Sequence, residues 1–435
     1  MARSRAIRIL SRLALAGVVL AGGAVAVVLG AFEHSVVGAA VDAPLTPEEI
    51  AALAPRGRYL AAAADCAACH TAPGGAPWAG GLAFQMPFGT LYATNISPDP
   101  ETGIGGWTRA EFHRAVRDGV GKGGRHLYPA MPYVSYRQLT EADVDALYAF
   151  LMTRPPMPVA NRTDSFPFPY VRPAMAFWNL LNLPSKTFAD DPAASPQVNR
   201  GRYLVDALGH CGECHTPRDL TMATIPGRYL EGNVIEGVEA PDITAAGLAA
   251  LGFTTDGLAR FMRAGLGPQG VMSFAMYEVV HHSTQHLTDT DADAMAAYLA
   301  GTAPPAAGNG TTVAAAAAAP SQPAAGTAMP GRQTYVELCA ACHGVDGEGI
   351  PHVAPAMRGN AALRLPTARN LLVATLRGLP DHPFPHGEHM QAMPGFADLL
   401  GDAEMAELAS YLRQTWGGRN ADVGADLVAE IRRGE

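Results

Sequence analysis

The sequence predicts an all-α chain of three small helical domains in tandem, set behind an N-terminal membrane or signal helix. Three observations predict it. The pentapeptide pattern Cys-x-x-Cys-His occurs three times, as "CAACH", "CGECH" and "CAACH". Each copy is followed, after a Met-bearing stretch, by an amphipathic segment of one design, so the motifs head repeated units. No βαβ pattern surrounds any of them. The 47 Gly and 35 Pro among 435 residues favour short helices joined by long loops.

Residues 1–45 read as a signal peptide or membrane anchor. Arg3, Arg5, Arg8 and Arg12 precede "LALAGVVLAGGAVAVVLGAF", Leu13 to Phe32, which carries no charge. A run of that length can span a bilayer. Arginines ahead of it keep the N-terminus in the cytoplasm and export the remainder of the chain. A cleaved signal with a small-residue site near "VVGAA" is the alternative, but the run is long for a signal h-region, which favours an uncleaved anchor.

Residues 46–192 form the first domain, 193–301 the second and 329–420 the third, with 421–435 as a C-terminal tail. "RGRYLAAAADCAACH" and "RGRYLVDALGHCGECH" open the first two, and "GRQTYVELCAACH" opens the third more loosely. Each reads as a short helix running into its motif. The domains close on "LTEADVDALYAFL" (139–151), "LTDTDADAMAAYL" (287–299) and "LGDAEMAELASYL" (400–412), whose apolar residues recur at three and four. Leu-Thr followed by an acidic residue is an N-cap signal in the first two. Between motif and Met, "ATNISPD" (93–99) matches "APDITAA" (240–246). "GWTRAEFHRAVRDG" (106–119) matches "GFTTDGLARFMRAG" (252–265), a helix ending at Gly, and the third domain keeps only "NLLVATLRG" (370–378).

Two connecting stretches differ in character. "FPFPYVRPAMAFWNLLNL" (166–183) is apolar and aromatic, suited to packing between the first two domains or to a membrane or partner surface. The Ala/Pro-rich stretch 302–328 reads as a linker without fixed structure. The third domain is therefore expected to sit more loosely than the first two, or to dock only in the complex.

The motif is a c-type haem attachment signal. Two thiols on one backbone turn add to the two vinyl groups of one haem, and the adjacent His faces the iron. Cys66, Cys69, Cys211, Cys214, Cys339 and Cys342 are all the cysteines of the chain, so none is spare. A thioredoxin-like dithiol needs a βαβ setting, and a zinc site needs motifs paired within one domain, whereas these lie far apart in the chain. Three covalently bound haem c groups are expected, with His70, His215 and His343 on the irons.

Met is the usual second axial partner of His in electron-carrying cytochromes. Met131 in "YPAMPY" and Met276 in "SFAMYEVV" stand at the same offset, 61 residues after His70 and His215 respectively; Met393 in "MQAMPGF" follows His343 by 50. Pro follows Met131 and Met393 and stiffens those loops. Met272, Met390 and Met86 are the runners-up. Pro355 is placed to offer its carbonyl to the ring N–H of His343. His382, His386 and His389, and likewise His281 and His282, read as solvated residues rather than a metal site.

Net charge is -9 and charged residues make up 16%, with no basic patch, which argues against nucleic acid as a partner. On these residues the chain resembles the triple-haem cytochrome c subunit of membrane-bound periplasmic dehydrogenases. The carriers are "GRYLAAAADCAACHTAPGG", "ATNISPDPETGIGGW", "LYPAMPY", "NRGRYLVDALGHCGECHTPR", "MYEVVHHSTQHLTDTD" and "MPGFADLLGDAEMAELASYLRQTWG", over about residues 55–420. The resemblance implies three class I cytochrome c folds. It implies Met131, Met276 and Met393 opposite the three histidines. It also implies a dehydrogenase catalytic subunit of PQQ, flavin or molybdenum type as partner, and ubiquinone or a terminal oxidase as acceptor. The place implied is the bacterial inner membrane, with the haem domains facing the periplasm. Many relatives have Asn where this chain has Asp242. The organic oxidation would belong to the partner, not to this chain. Two alternatives are a free-standing multihaem carrier and a haem enzyme with one open iron site.

Overall fold

The structure, a computed structural model, describes residues 15–25, 35–86, 89–166, 171–301 and 329–434. It is built of helices joined by loops, and the strands among the described residues form only two-stranded hairpins. The chain divides into two compact units, Met1–Ala189 and Asp190–Glu435. The linker 302–328 and part of the run Leu13–Phe32 lie outside the described residues. Residues 15–25 are helical with exposed side chains. Among the described residues no helix is long and apolar enough to cross a membrane.

In the first unit the opening helix Pro47–Ala63 starts at a capping box made by Thr46 and Glu49. The closing helix Glu141–Met152 starts at Thr140, whose side chain accepts from Asp143 N. The two cross at Gly57, where a Cβ would lie 1.8 Å from Ala146 O. Arg56 Nε donates to Asp143 Oδ1 at 2.8 Å beside the crossing. Leu60, Ala61, Leu139, Val144, Ala146 and Ala149 are each at most 1% exposed and form the core around it. Helix Arg109–Asp118 completes the layer and stops at Gly119, φ 68°.

The apolar stretch 166–183 supplies helix Val171–Asn182. Its inner side meets the first domain, where Tyr133 Oη donates to Asn179 Oδ1 at 2.8 Å. Arg137, 2% exposed, holds Pro184 O at 2.6 Å and Asp118 Oδ1 at 2.7 Å. Asp118 also accepts from Val36 N at 3.2 Å, so the chain just after the apolar N-terminal run is fastened to this domain.

A second buried ion pair gives a pH prediction. Asp145 on the closing helix accepts from Arg109 at 2.6 Å and from the ring of fully buried His113 at 2.8 Å. Burial alone would raise its carboxyl, but these two donors overcome that and hold it at about 2, below the ordinary 3.8. A depressed carboxyl contributes stability that is present above the unfolded value and lost as pH falls through the folded one, here from about 4 to 2, worth roughly 2 kcal/mol. Asp145→Asn should therefore lower stability at neutral pH and flatten the loss between those pH values, read by denaturant unfolding at each pH.

The second unit repeats the plan twice. Helix Pro196–Arg202 crosses the closing helix Asp289–Leu299 at Gly201, where a Cβ would lie 1.9 Å from Ala294 O, with Arg200 bonded to Asp291 at 2.7 and 2.8 Å. Gly331 stands at the start of helix Arg332–Leu338, and its Cβ would meet Glu407 O of the closing helix Asp402–Trp416 at 2.3 Å. In the 421–435 stretch, helix Ala425–Arg433 buries Val428 and Ile431 against the third domain.

The expected looseness of the third domain is corrected. Asn370 takes both backbone groups of Glu239, accepting from its N at 2.6 Å and donating to its O at 2.8 Å. Ala361 N donates to Gln269 O at 2.8 Å, and Tyr277 Oη donates to Pro383 O at 3.1 Å. Polar backbone along the edges of one domain is satisfied by the other, so a structureless linker in the sequence does not imply a free domain.

Candidate haem sites

All three motifs lie on a helical turn. Cys66–His70 is a five-residue helix; Cys211 and Cys339 stand at the starts of Gly212–His215 and Ala340–His343. The spacing of three residues puts both thiols of a pair on one helical face. None of the six cysteines is joined to another in a disulfide, not even to its neighbour in the motif. Burial pushes the Cys66 and Cys211 thiols up to about 12 and Cys339 to about 11. Redox dithiols need a lowered thiol value, so this chemistry does not suit an exchanging disulfide.

The motif histidines share one arrangement. His70 Nδ1 bonds Thr94 O at 2.7 Å, His215 Nδ1 bonds Pro241 O at 2.7 Å, and His343 Nδ1 bonds Pro355 O at 2.9 Å. A carbonyl only accepts, so Nδ1 carries the proton and Nε2 keeps its lone pair. Burial lowers all three imidazoles below 6.5, against the carbonyl bond, which keeps them neutral at pH 7. The bond expected from Pro355 is present, and Thr94 and Pro241 occupy matching places in "ATNISPD" and "APDITAA".

A glycine completes each clamp. The N–H groups of Gly80, Gly232 and Gly349 donate to the backbone carbonyls of His70, His215 and His343, each at 2.8 Å. Their φ angles are 72°, 88° and 73°. A Cβ would meet Thr94 C at 2.4 Å in the first, Ala240 O at 2.9 Å in the second and Ala356 N at 2.5 Å in the third. Glycine thus lets the segment that holds the ring approach the segment that holds the backbone.

Asp242 preserves half of what Asn95 does. Asn95 Oδ1 accepts from Ser97 N at 2.9 Å, and its amide donates to Met157 O at 2.7 Å. Asp242 Oδ1 accepts from Thr244 N at 2.8 Å. The turn survives with a carboxylate, while the donated bonds do not.

The second site has one more residue between the motif glycine and the first Cys than the first site has. A π-helical turn, Tyr203–Leu208, absorbs it, with Gly209 N donating to Leu204 O at 2.6 Å. It carries Asp206, which accepts from Tyr229 Oη at 2.7 Å and Tyr298 Oη at 3.0 Å. Burial raises the Asp206 carboxyl despite both bonds.

Met131 is half-buried in the turn ahead of Tyr133–Tyr136, with its N donating to Tyr128 O at 3.1 Å. Met276 is the half-buried second residue of helix Ala275–His282. Met393 is half-buried, and its N and O both pair with Leu379 at 2.9 Å. Of the runners-up, Met272 is buried in the second domain, Met390 pairs with His382 in a short hairpin, and Met86 ends strand Ala83–Met86. Among the described residues no group of three or more His, Cys, Asp or Glu is placed to hold a separate metal ion. His382 is not a solvated residue as expected; its ring stacks on Tyr277.

Two reduced thiols on one helical face, beside a neutral imidazole with Nδ1 tied back, fit a covalently attached haem. The family model for cytochrome c matches residues 54–155 and 328–416, the stretches that carry the first and third motifs. The chain is 41% identical over 390 residues to a nicotinate dehydrogenase subunit of Pseudomonas putida, covering 85% of this chain and 31% of that one. It therefore spans about a third of that relative. It is 38% identical to the gluconate 2-dehydrogenase cytochrome c subunit of Pantoea cypripedii, covering 88% of this chain and 90% of that one. It is 36% identical to the cytochrome c subunit of the quinone-type alcohol dehydrogenase of Gluconacetobacter polyoxogenes, covering 89% and 85%.

Proposed function

The chain belongs to the cytochrome c family, among the cytochrome c subunits of dehydrogenases, and from that premise we propose that it is a triple-haem electron conduit. The observation that carries the reading is the clamp built three times over: a Cys-x-x-Cys-His turn whose histidine donates Nδ1–H to a backbone carbonyl. Cys66 and Cys69, Cys211 and Cys214, and Cys339 and Cys342 would each hold one haem through two thioether bonds. His70, His215 and His343 would ligate the irons through Nε2, and Met131, Met276 and Met393 would ligate them through their thioethers. The haem irons supply one-electron chemistry when bound.

The protein's own part is orientation and exclusion of water. The carbonyl of Thr94, Pro241 or Pro355 fixes the ring plane and the tautomer, and makes Nε2 a better donor. A thioether ligand would raise the potential of the iron and keep small molecules from binding it. The three domains, 46–192, 193–301 and 329–420, are class I cytochrome c folds, the last reached through the linker 302–328.

The partner is a dehydrogenase catalytic subunit, a reading supported by the relatives' names, and its cofactor is of PQQ, flavin or molybdenum type. Electrons leave to ubiquinone or a terminal oxidase. Residues 1–45 hold the chain at the bacterial inner membrane with its haems in the periplasm. Mass spectrometry of the intact protein should give the chain plus three haem masses. A chain with two, lacking the one at Cys211 and Cys214, would remove the second site from the reading.

A further inference from the structure

The second and third domains meet at their methionine segments. Tyr277 follows Met276 directly and is 7% exposed. Its ring lies on that of His382, with centroids 3.6 Å apart and planes 19° from parallel. His281, one helical turn on, lies 5.7 Å from the same ring, and Phe384 meets it edge-on at 5.5 Å. Tyr277 Oη also donates to Pro383 O at 3.1 Å. His382 and Pro383 belong to the hairpin closed by the Leu379–Met393 pair. One ring contact therefore separates the segment bearing Met276 from the hairpin that ends at Met393.

We infer that the Tyr277–His382 stack couples the second and third haem sites, so that electrons pass between them through their methionine-bearing sides. This rests on the assignment of Met276 and Met393 as ligands. With haem bound at both sites, one electron would move, taking one iron from ferrous to ferric as the other goes from ferric to ferrous. No bond forms or breaks and no proton leaves either ring. Tyr277 and His382 are positioning residues that fill the gap with polarisable atoms in place of water. Two saturated side chains there would leave the domains joined elsewhere, because Asn370 holds Glu239 independently of the stack.

The test uses the full holoprotein with one electron injected by a rapid pulse, the spread among haems being followed optically. Tyr277→Leu and His382→Leu should slow the phase between the second and third sites roughly tenfold. Their midpoint potentials and thioether–iron bands should stay in place. Tyr277→Phe and His382→Phe, which keep a ring, should restore the rate. Asn370→Ala, which loosens the same interface away from the stack, should leave it near wild type. A wild-type rate in both leucine variants, or an equal slowing by Asn370→Ala, overturns the inference. Persistence of the thioether–iron bands in Met276→Ala and Met393→Ala would instead fail the ligand assignment alone.

Discussion

Gly201→Ala is expected to unfold the second domain, and Gly57→Ala the first, although each replaces glycine by the best helix former. Helix propensity alone favours alanine by about 1 kcal/mol. The crossing decides otherwise. The new Cβ would lie 1.9 Å from Ala294 O in one case and 1.8 Å from Ala146 O in the other, with the carbonyl carbon at 2.5 Å in both. The obstacle is the backbone of a packed helix, which has no rotamer to change. The helices must separate, opening the core and lengthening Arg200–Asp291 or Arg56–Asp143. A cost of about 3–5 kcal/mol exceeds ordinary overpacking and is a large share of a small domain's stability. Gly227→Ala is the control, since nothing lies within 4 Å of its added Cβ. Thermal unfolding and haem mass together check the result. A chain of Gly201→Ala with wild-type melting and full haem content would show that the crossing yields.

That crossing also shows how far the sequence could be read. "RGRY" occurs twice, and its residues do three separate jobs: Arg reaches an acidic residue of the closing helix, Gly admits that helix, and the apolar residues after it enter the core. The closing helices were legible because Thr140 and Thr288 are caps placed where the pattern puts them. Gly119, Gly265 and Gly378, each with positive φ, end the helices expected at 106–119, 252–265 and 370–378. The Pro355 carbonyl, expected from its place twelve residues after His343, does accept from that ring.

The glycine clamp was not legible. Gly80, Gly232 and Gly349 stand 10, 17 and 6 residues after their histidines, so no fixed spacing marks them among 47 glycines. Only the returning chain shows that they do one job. The π-helical turn before Cys211 is a second case. The extra residue is visible on comparing the two openings, but its absorption within the helix depends on packing around Leu204 and Leu208, both at most 1% exposed. Docking of the third domain was misread because Asn370, Glu239 and Tyr277 carry no signal separately. Their contact is long-range and polar, and the linker's composition says nothing about what its two ends touch.

Met393→Ala should change the electronics of the third site most. Backbone bonds hold Met393 on both sides, with N and O each 2.9 Å from Leu379. The adjoining Gly378, φ 77°, has no room for a Cβ, which would meet Met393 O at 2.4 Å. Pro394 fixes the next φ. A sulfur presented from such a backbone has only its own rotamers to lose, so the cost of holding it on an iron is small. Met390 lacks this support, being paired with His382 in a two-residue ladder. Removing the Met393 thioether should abolish the thioether–iron absorption of one haem and leave all three attached. The potential should fall by about 200 mV, a quarter of the roughly 0.8 V that axial ligands span. At 59 mV per tenfold for one electron, that disfavours reduction of the site more than about a thousandfold. Met390→Ala should leave both quantities near wild type. A spectroelectrochemical titration of the two variants decides between the residues: if Met390→Ala loses the band and Met393→Ala keeps it, the hairpin rather than its base supplies the sulfur.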